Sequence, residues 1–117
     1  MGERLHKLRN EVKDLIETNN IEKVYLEDIY ADGQHIKNIS TFKTLAEVFG
    51  VLFELCVDLE IPVEAVLAVR WKSIVGINGR TRSEQKKNTQ QYVLEKYKKK
   101  IPEDEADAIC IGEYGSL

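Results

Sequence analysis

Apolar residues near the start of the chain keep the spacing of one helical face. Leu5, Leu8, Val12, Leu15 and Ile16 follow the i, i+3, i+4, i+7 pattern and predict an amphipathic helix over 3–18. Asn19-Asn20 should end it, because Asn tolerates the left-handed cap position. The run from Val24 to Tyr30 is short, β-prone and mostly apolar, which predicts a buried strand. Ala31 to Ile39, with Asp32-Gly33 and Asn38, reads as a loop. Ser40 or Thr41 is then expected to cap a helix over 41–59. That helix carries Phe42, Leu45, Val48, Phe49, Val51, Leu52, Phe53, Leu55, Cys56 and Leu59. This is more than one stripe, so the helix should pack on two sides, one of them against a second subunit.

Pro62 closes that helix, and Val63 to Val69 predicts a second short strand. Trp71 to Ile77 reads as a brief helical turn, and Asn78-Gly79 as a tight turn. Ser83 should cap a polar, basic helix over 84–99 with Thr89, Val93 and Tyr97 as its inner stripe. Pro102 fits the first turn of a last helix, whose apolar positions are Ala106, Ile109, Cys110 and Ile111. Helices alternating with short buried strands imply an α/β fold with two parallel strands and four to five helices. Two strands make a weak sheet alone, so a further strand or a partner is expected.

Composition narrows the class. A chain of 117 residues with 43% apolar and 32% charged side chains fits a single soluble domain over 1–117. It has neither an apolar run long enough to cross a membrane nor a signal-peptide core, which points to the cytoplasm. Cys56 and Cys110 sit in apolar company, which suits buried free thiols rather than a disulfide scaffold. The net charge is −3, but residues 70–100 carry ten basic and two acidic side chains. Such segregation permits a local anion-binding face, although a solvated basic helix would show the same pattern.

Three features could carry chemistry. Glu27 lies within an apolar strand, where a carboxylate is costly unless paired or metal-bound; the alternative is a strand end in solvent. Glu103, Asp104, Glu105 and Asp107 cluster at a helix start, which suits the helix dipole. Asp104 and Asp107 stand three apart, hence on one face, and Ala106 and Ala108 would let that face approach a strand closely. Carboxylates from a strand and a helix could hold Mg²⁺ or Mn²⁺, and paired ions of this kind can clamp a phosphodiester. Arg80, Arg82, Lys86 and Lys87 could contact phosphates without reading bases. His6 and His35 lack ligand spacing, no CxxC or phosphate-binding glycine motif exists, and Trp71 reads as a core anchor.

The order of these elements resembles the RuvC-like Holliday junction resolvases of the ribonuclease H-like superfamily, in their phage and Gram-positive form. The resemblance rests on the strand Val24-Tyr25-Leu26-Glu27-Asp28-Ile29-Tyr30, on Leu45 through Val51, on Ile61-Pro62-Val63, on Trp71-Lys72 through Ile77, and most specifically on Pro102-Glu103-Asp104-Glu105-Ala106-Asp107-Ala108-Ile109-Cys110-Ile111. It implies a partial ribonuclease H-like fold and a Mg²⁺- or Mn²⁺-dependent endonuclease for branched DNA, active in recombination, repair or phage DNA processing. It further implies that Glu27, Asp104 and Asp107 are metal ligands. From the residues themselves, Lys86 or its neighbour Lys87 is expected to act as the catalytic lysine on the scissile phosphate, and the surplus apolar face of the 41–59 helix, with Phe42, Phe49 and Phe53, is expected to form a homodimer.

The family opens with an Asp-bearing strand and a hairpin, and nothing before Leu5 resembles them. Truncation is the expectation; a separately encoded strand or a repurposed remnant would leave the same sequence. A non-catalytic dimerisation or DNA-binding module on this fold is the competing reading.

Overall fold

The computed structural model of the chain describes residues 2–29 and 39–117. They form two compact units, 1–65 and 66–117. In the first unit α1 (Gly2–Thr18), β1 (Val24–Glu27), α2 (Ile39–Asp58) and β2 (Val63–Val66) follow in order. β1 and β2 pair in parallel as the one sheet among the described residues. The Val24 amide donates to the Pro62 carbonyl at 3.0 Å, which sets the two strands starting side by side. The Lys23 ammonium lies 3.4 Å from a Glu64 oxygen and braces the same end.

α1 buries Ile16 and half-buries Leu5, Leu8 and Val12, as its pattern predicts, while Leu15 stays 61% exposed. Arg9 ties α1 to α2, its Nη2 donating to Asp58 at 2.9 Å and its Nε to Glu54 at 3.3 Å. Asn20 ends α1 in the left-handed region (φ 53°), and the Ile21 amide reaches back to the Ile16 carbonyl at 3.0 Å. Glu60 (φ 57°) does the same for α2, with the Ile61 amide on the Cys56 carbonyl at 2.8 Å. Gly76 (φ 94°) repeats it for α3, with the Ile77 amide on the Lys72 carbonyl at 2.8 Å. All three are Schellman-type ends with Ile as the following residue.

Several boundaries differ from the sequence expectation. β1 stops at Glu27, so Glu27 is the exposed last residue of the strand and not an interior one. The half-buried Asp28 instead turns its Oδ1 to the Ile29 amide, 2.8 Å away, a local bond that competes with strand pairing. Tyr30 and the 31–38 loop, with His35, fall outside the described residues. α2 begins at Ile39, so Ser40 and Thr41 lie inside its first turn rather than at its N-cap. β2 ends at Val66, because Ala68 to Val75 forms α3.

The second unit holds α3 (Ala68–Val75), α4 (Arg82–Tyr97) and α5 (Glu103–Ser116) around Trp71, Val93, Ala106 and Cys110, all 0% exposed. Trp71 is thus the core anchor its sequence suggests, and its Nε1–H has no hydrogen-bond partner among the described residues. α4 is capped by Thr81, not Ser83: the Thr81 hydroxyl accepts from the Glu84 amide at 3.1 Å. The Glu84 carboxylate turns back to the Arg80 amide at 2.8 Å, so Thr81 and Glu84 act as a capping pair. Tyr97 is 42% exposed, so the inner stripe of α4 is Thr89 and Val93, with Tyr92 half-buried.

α4 and α5 run side by side in the same direction. Lys86 meets Glu103 near their starts, and Lys96 meets Glu113 near their ends, both across ion pairs. The segment 98–102 therefore runs back along the pair, and Gln90 pins it by donating to the Ile101 carbonyl at 3.1 Å. Three donors converge on Glu113: Tyr92 at 2.6 Å, Lys96 at 2.8 Å, and the Tyr97 hydroxyl. Burial opposes its ionised form, but Lys96, Tyr92 and Tyr97 outweigh this and hold its carboxyl below the usual range.

Candidate metal centre and nucleic-acid face

The acidic motif folds as the first turn of α5. Pro102 stands just before the helix, and Glu103, Asp104 and Asp107 bring carboxylate oxygens within 4.8 Å of one another. The i, i+3 spacing puts Asp104 and Asp107 on one face. Ala106, fully buried beside Asp107, lets that part of the helix pack closely, whereas Ala108 is exposed. Burial raises the Asp107 carboxyl above its ordinary range. Glu103 and Asp104 push the same way, and Lys72 and Lys86 pull it back.

Two lysines flank the cluster. The Lys86 ammonium sits 2.9 Å from a Glu103 oxygen, both side chains half-buried. Lys72 of α3 donates to Gln85 Oε1 at 3.1 Å, and Gln85 Nε2 donates to the Gly79 carbonyl at 3.1 Å. Gln85 packs so tightly here that a Cβ on Gly79 would lie 2.8 Å from its amide nitrogen, so the Asn78-Gly79 turn needs glycine. Asn88 donates to the Asn78 carbonyl and fixes the turn from its other side. Lys72 enters the site unforeseen. The sequence hint was a charged residue directly after the buried Trp71, but its partner Gln85 comes from another helix.

Hard oxygen donors from carboxylates suit a divalent cation such as Mg²⁺ or Mn²⁺. Ligands at ~2.1 Å span at most ~4.2 Å across such an ion, so oxygens within 4.8 Å need only a small inward shift. The residues present therefore fit the group.

Of the expected site residues, Asp104 and Asp107 come together with Glu103, and Lys86 stands beside them. Glu27 belongs to the first unit, at the end of β1. Arg80, Arg82 and Lys87 are exposed around the start of α4, open to phosphates. Phe42 and Phe49 are half-buried on α2 and Phe53 is 37% exposed, with the Phe49 and Phe53 ring centroids 5.9 Å apart. Cys56 and Cys110 are buried free thiols. Burial raises both thiols, Cys110 up to about 11, which leaves them protonated and inert. His6 is an exposed partner of Asn10 at 3.2 Å. No described helix is long and apolar enough to cross a membrane.

No curated protein matches this chain. The family model of the crossover junction endodeoxyribonuclease RuvC matches residues 1–112, nearly the whole sequence and including the acidic turn and both flanking lysines. The chain with this carboxylate cluster and basic helix start therefore belongs to the RuvC family of Holliday junction resolvases, nucleases that act on junction DNA.

Proposed function

We propose that this chain cuts branched DNA with Mg²⁺ or Mn²⁺, using Glu27, Asp104 and Asp107 as ligands. The observation that carries the reading is the half-buried acidic turn of α5 flanked by Lys72 and Lys86 in a chain of this family. A divalent cation held by these carboxylates would polarise a phosphoryl oxygen and activate a water. The chain's own residues do the rest. Asp104 and Asp107 orient from one helix face. Lys72, held by Gln85, and Lys86 offset the charge that gathers on the scissile phosphate. Arg80, Arg82 and Lys87 hold neighbouring phosphates and give affinity that falls with salt.

The reading includes work in the cytoplasm, in recombination, repair or phage DNA processing. It also includes a homodimer through α2, whose Phe42, Phe49 and Phe53 share one stripe. The family's Asp-bearing strand has no counterpart among these residues, so full activity is proposed to need that strand supplied upstream or by a second chain.

The test is cleavage of a four-way junction in Mg²⁺, with and without an added Asp-bearing strand, alongside calorimetric metal titration. Asp104→Asn and Asp107→Asn should each abolish metal uptake, and Glu27→Gln should weaken it at least tenfold, the scale of a lost ligand or its support. Metal uptake without cleavage in either format would leave the non-catalytic module. No metal uptake at all would refute the metal centre.

A further inference from the structure

Glu103 answers to two claims that it cannot meet together. One oxygen holds Lys86 at 2.9 Å, and its carboxylate also stands within 4.8 Å of those of Asp104 and Asp107. Lys86 in turn is a side chain placed for phosphate, yet here it is engaged by Glu103. With Lys72 included, three carboxylates face two ammonium groups, a local charge of −1. A DNA phosphate meets repulsion at such a face. One divalent cation raises the local charge by two, draws Glu103 toward itself, and frees Lys86 from its carboxylate. The ion pair is partly solvated, its side chains 38% and 34% exposed, so it is weak enough to exchange partners.

We propose that Glu103 is a latch on Lys86: it holds the ammonium while the carboxylates lack a cation, and yields it to a DNA phosphate once a divalent cation binds. The order of events follows, cation first and phosphate second. Glu103 is then a positioning residue that acts through Lys86. This rests on the reading of the acidic turn as a metal centre, and it deepens that reading by giving the centre control over DNA affinity.

The test is the affinity of the full chain for a labelled four-way junction, by fluorescence anisotropy, in EDTA and in Ca²⁺, which takes the same oxygen ligands. In EDTA, Glu103→Gln should tighten binding about two- to fivefold, the scale of releasing one partly exposed ion pair. Glu105→Gln removes an equal charge from an exposed position of the same turn and sets the generic effect, which should be smaller. The excess should vanish in a Lys86→Met background and in Ca²⁺, and Glu103→Asp should behave as the unaltered chain. The salt dependence of the unaltered chain should steepen by about one phosphate contact when Ca²⁺ is added.

Equal gains from Glu103→Gln and Glu105→Gln, or a gain that survives Lys86→Met, would overturn the latch while the metal centre stands. A junction affinity that ignores both Ca²⁺ and the Asp104→Asn and Asp107→Asn changes would instead overturn the metal centre, and the latch with it. Failure to bind the junction at all would have the same meaning.

Discussion

Asp107 works against the stability of the unit that carries it. Its carboxyl is raised, first by burial, so the native state binds its proton more tightly than the unfolded chain does. The stabilisation is fully present below the unfolded carboxylate range and is lost as pH rises through the raised native value. At neutral pH, without metal, Asp107→Asn should therefore raise stability by about 0.5–1 kcal/mol, a gain in Tm of roughly 2–4 °C. Thermal unfolding in EDTA followed by circular dichroism checks this, and a lower Tm would contradict it. Glu113 has the opposite sign. Its lowered carboxyl contributes stability above the unfolded range, which is lost as pH falls through the native value. Glu113→Gln should cost about 1–2 kcal/mol at pH 7 and flatten the acid limb of a denaturation profile. At this scale the shared face of Asp104 and Asp107 was readable from their spacing. Glu103 was not, because a first-turn acid is accounted for by the helix dipole until its distance to Lys86 is known. Glu113, with three partners on another helix, left no local signal.

At the scale of elements, three helices end in one way, with a left-handed residue followed by Ile21, Ile61 or Ile77. Asn20 and Gly76 suit that conformation and Glu60 does not, since a side chain there costs about 1 kcal/mol or more. Glu60→Gly should stabilise the chain by about 0.5–1 kcal/mol, seen as a higher urea midpoint with an unchanged slope. The helix ends marked by Asn19-Asn20 and Pro62 were legible because a single residue type carries each signal, whereas the expected turn from Trp71 to Ile77 ran past the true end at Gly76. The starts were less so. Ser40, Thr41 and Ser83 are all competent caps, and only tertiary placement chooses among them, passing over Ser83 for Thr81 with Glu84. Both strands were drawn too long because Val, Ile and Leu suit a strand or a helix start equally. The pattern at Leu67 to Val69 could not show that Trp71 needs a helix to reach the core.

Over the whole chain, charge divides by unit. Residues 66–117 hold ten basic and seven acidic side chains, a net of +3, while residues 1–65 hold seven and thirteen, a net of −6. The basic surplus lies in the unit with the acidic turn, which suits a face that must accept both a cation and a phosphate chain. On α2, at about 100° per residue, Ile39, Phe42, Leu45, Phe49, Phe53 and Val57 fall within one stripe of roughly 120°. Ile39, Leu45, Phe53 and Val57 are exposed there. An apolar stripe of this length is expected to be covered by a second copy. Light scattering at micromolar concentration should give twice the chain mass, and Phe53→Glu should return it to one chain. The surplus of apolar positions was visible in the sequence, since they exceed what one core face can absorb. The division into units was not, because no proline- or glycine-rich linker marks residues 65–66.

The return segment 98–102 has a practical consequence. Because α4 and α5 run the same way, both present their positive poles at the end that carries Glu103, Asp104 and Lys86, and Ser116 lies about 18 Å further along α5 from Asp104. A fluorophore attached at position 116 would ride on the far end and report rotation of the bound complex without shading the acidic turn. The same dye on position 83, exposed in the first turn of α4 and outside the Thr81–Glu84 cap, would report the arrival of DNA directly.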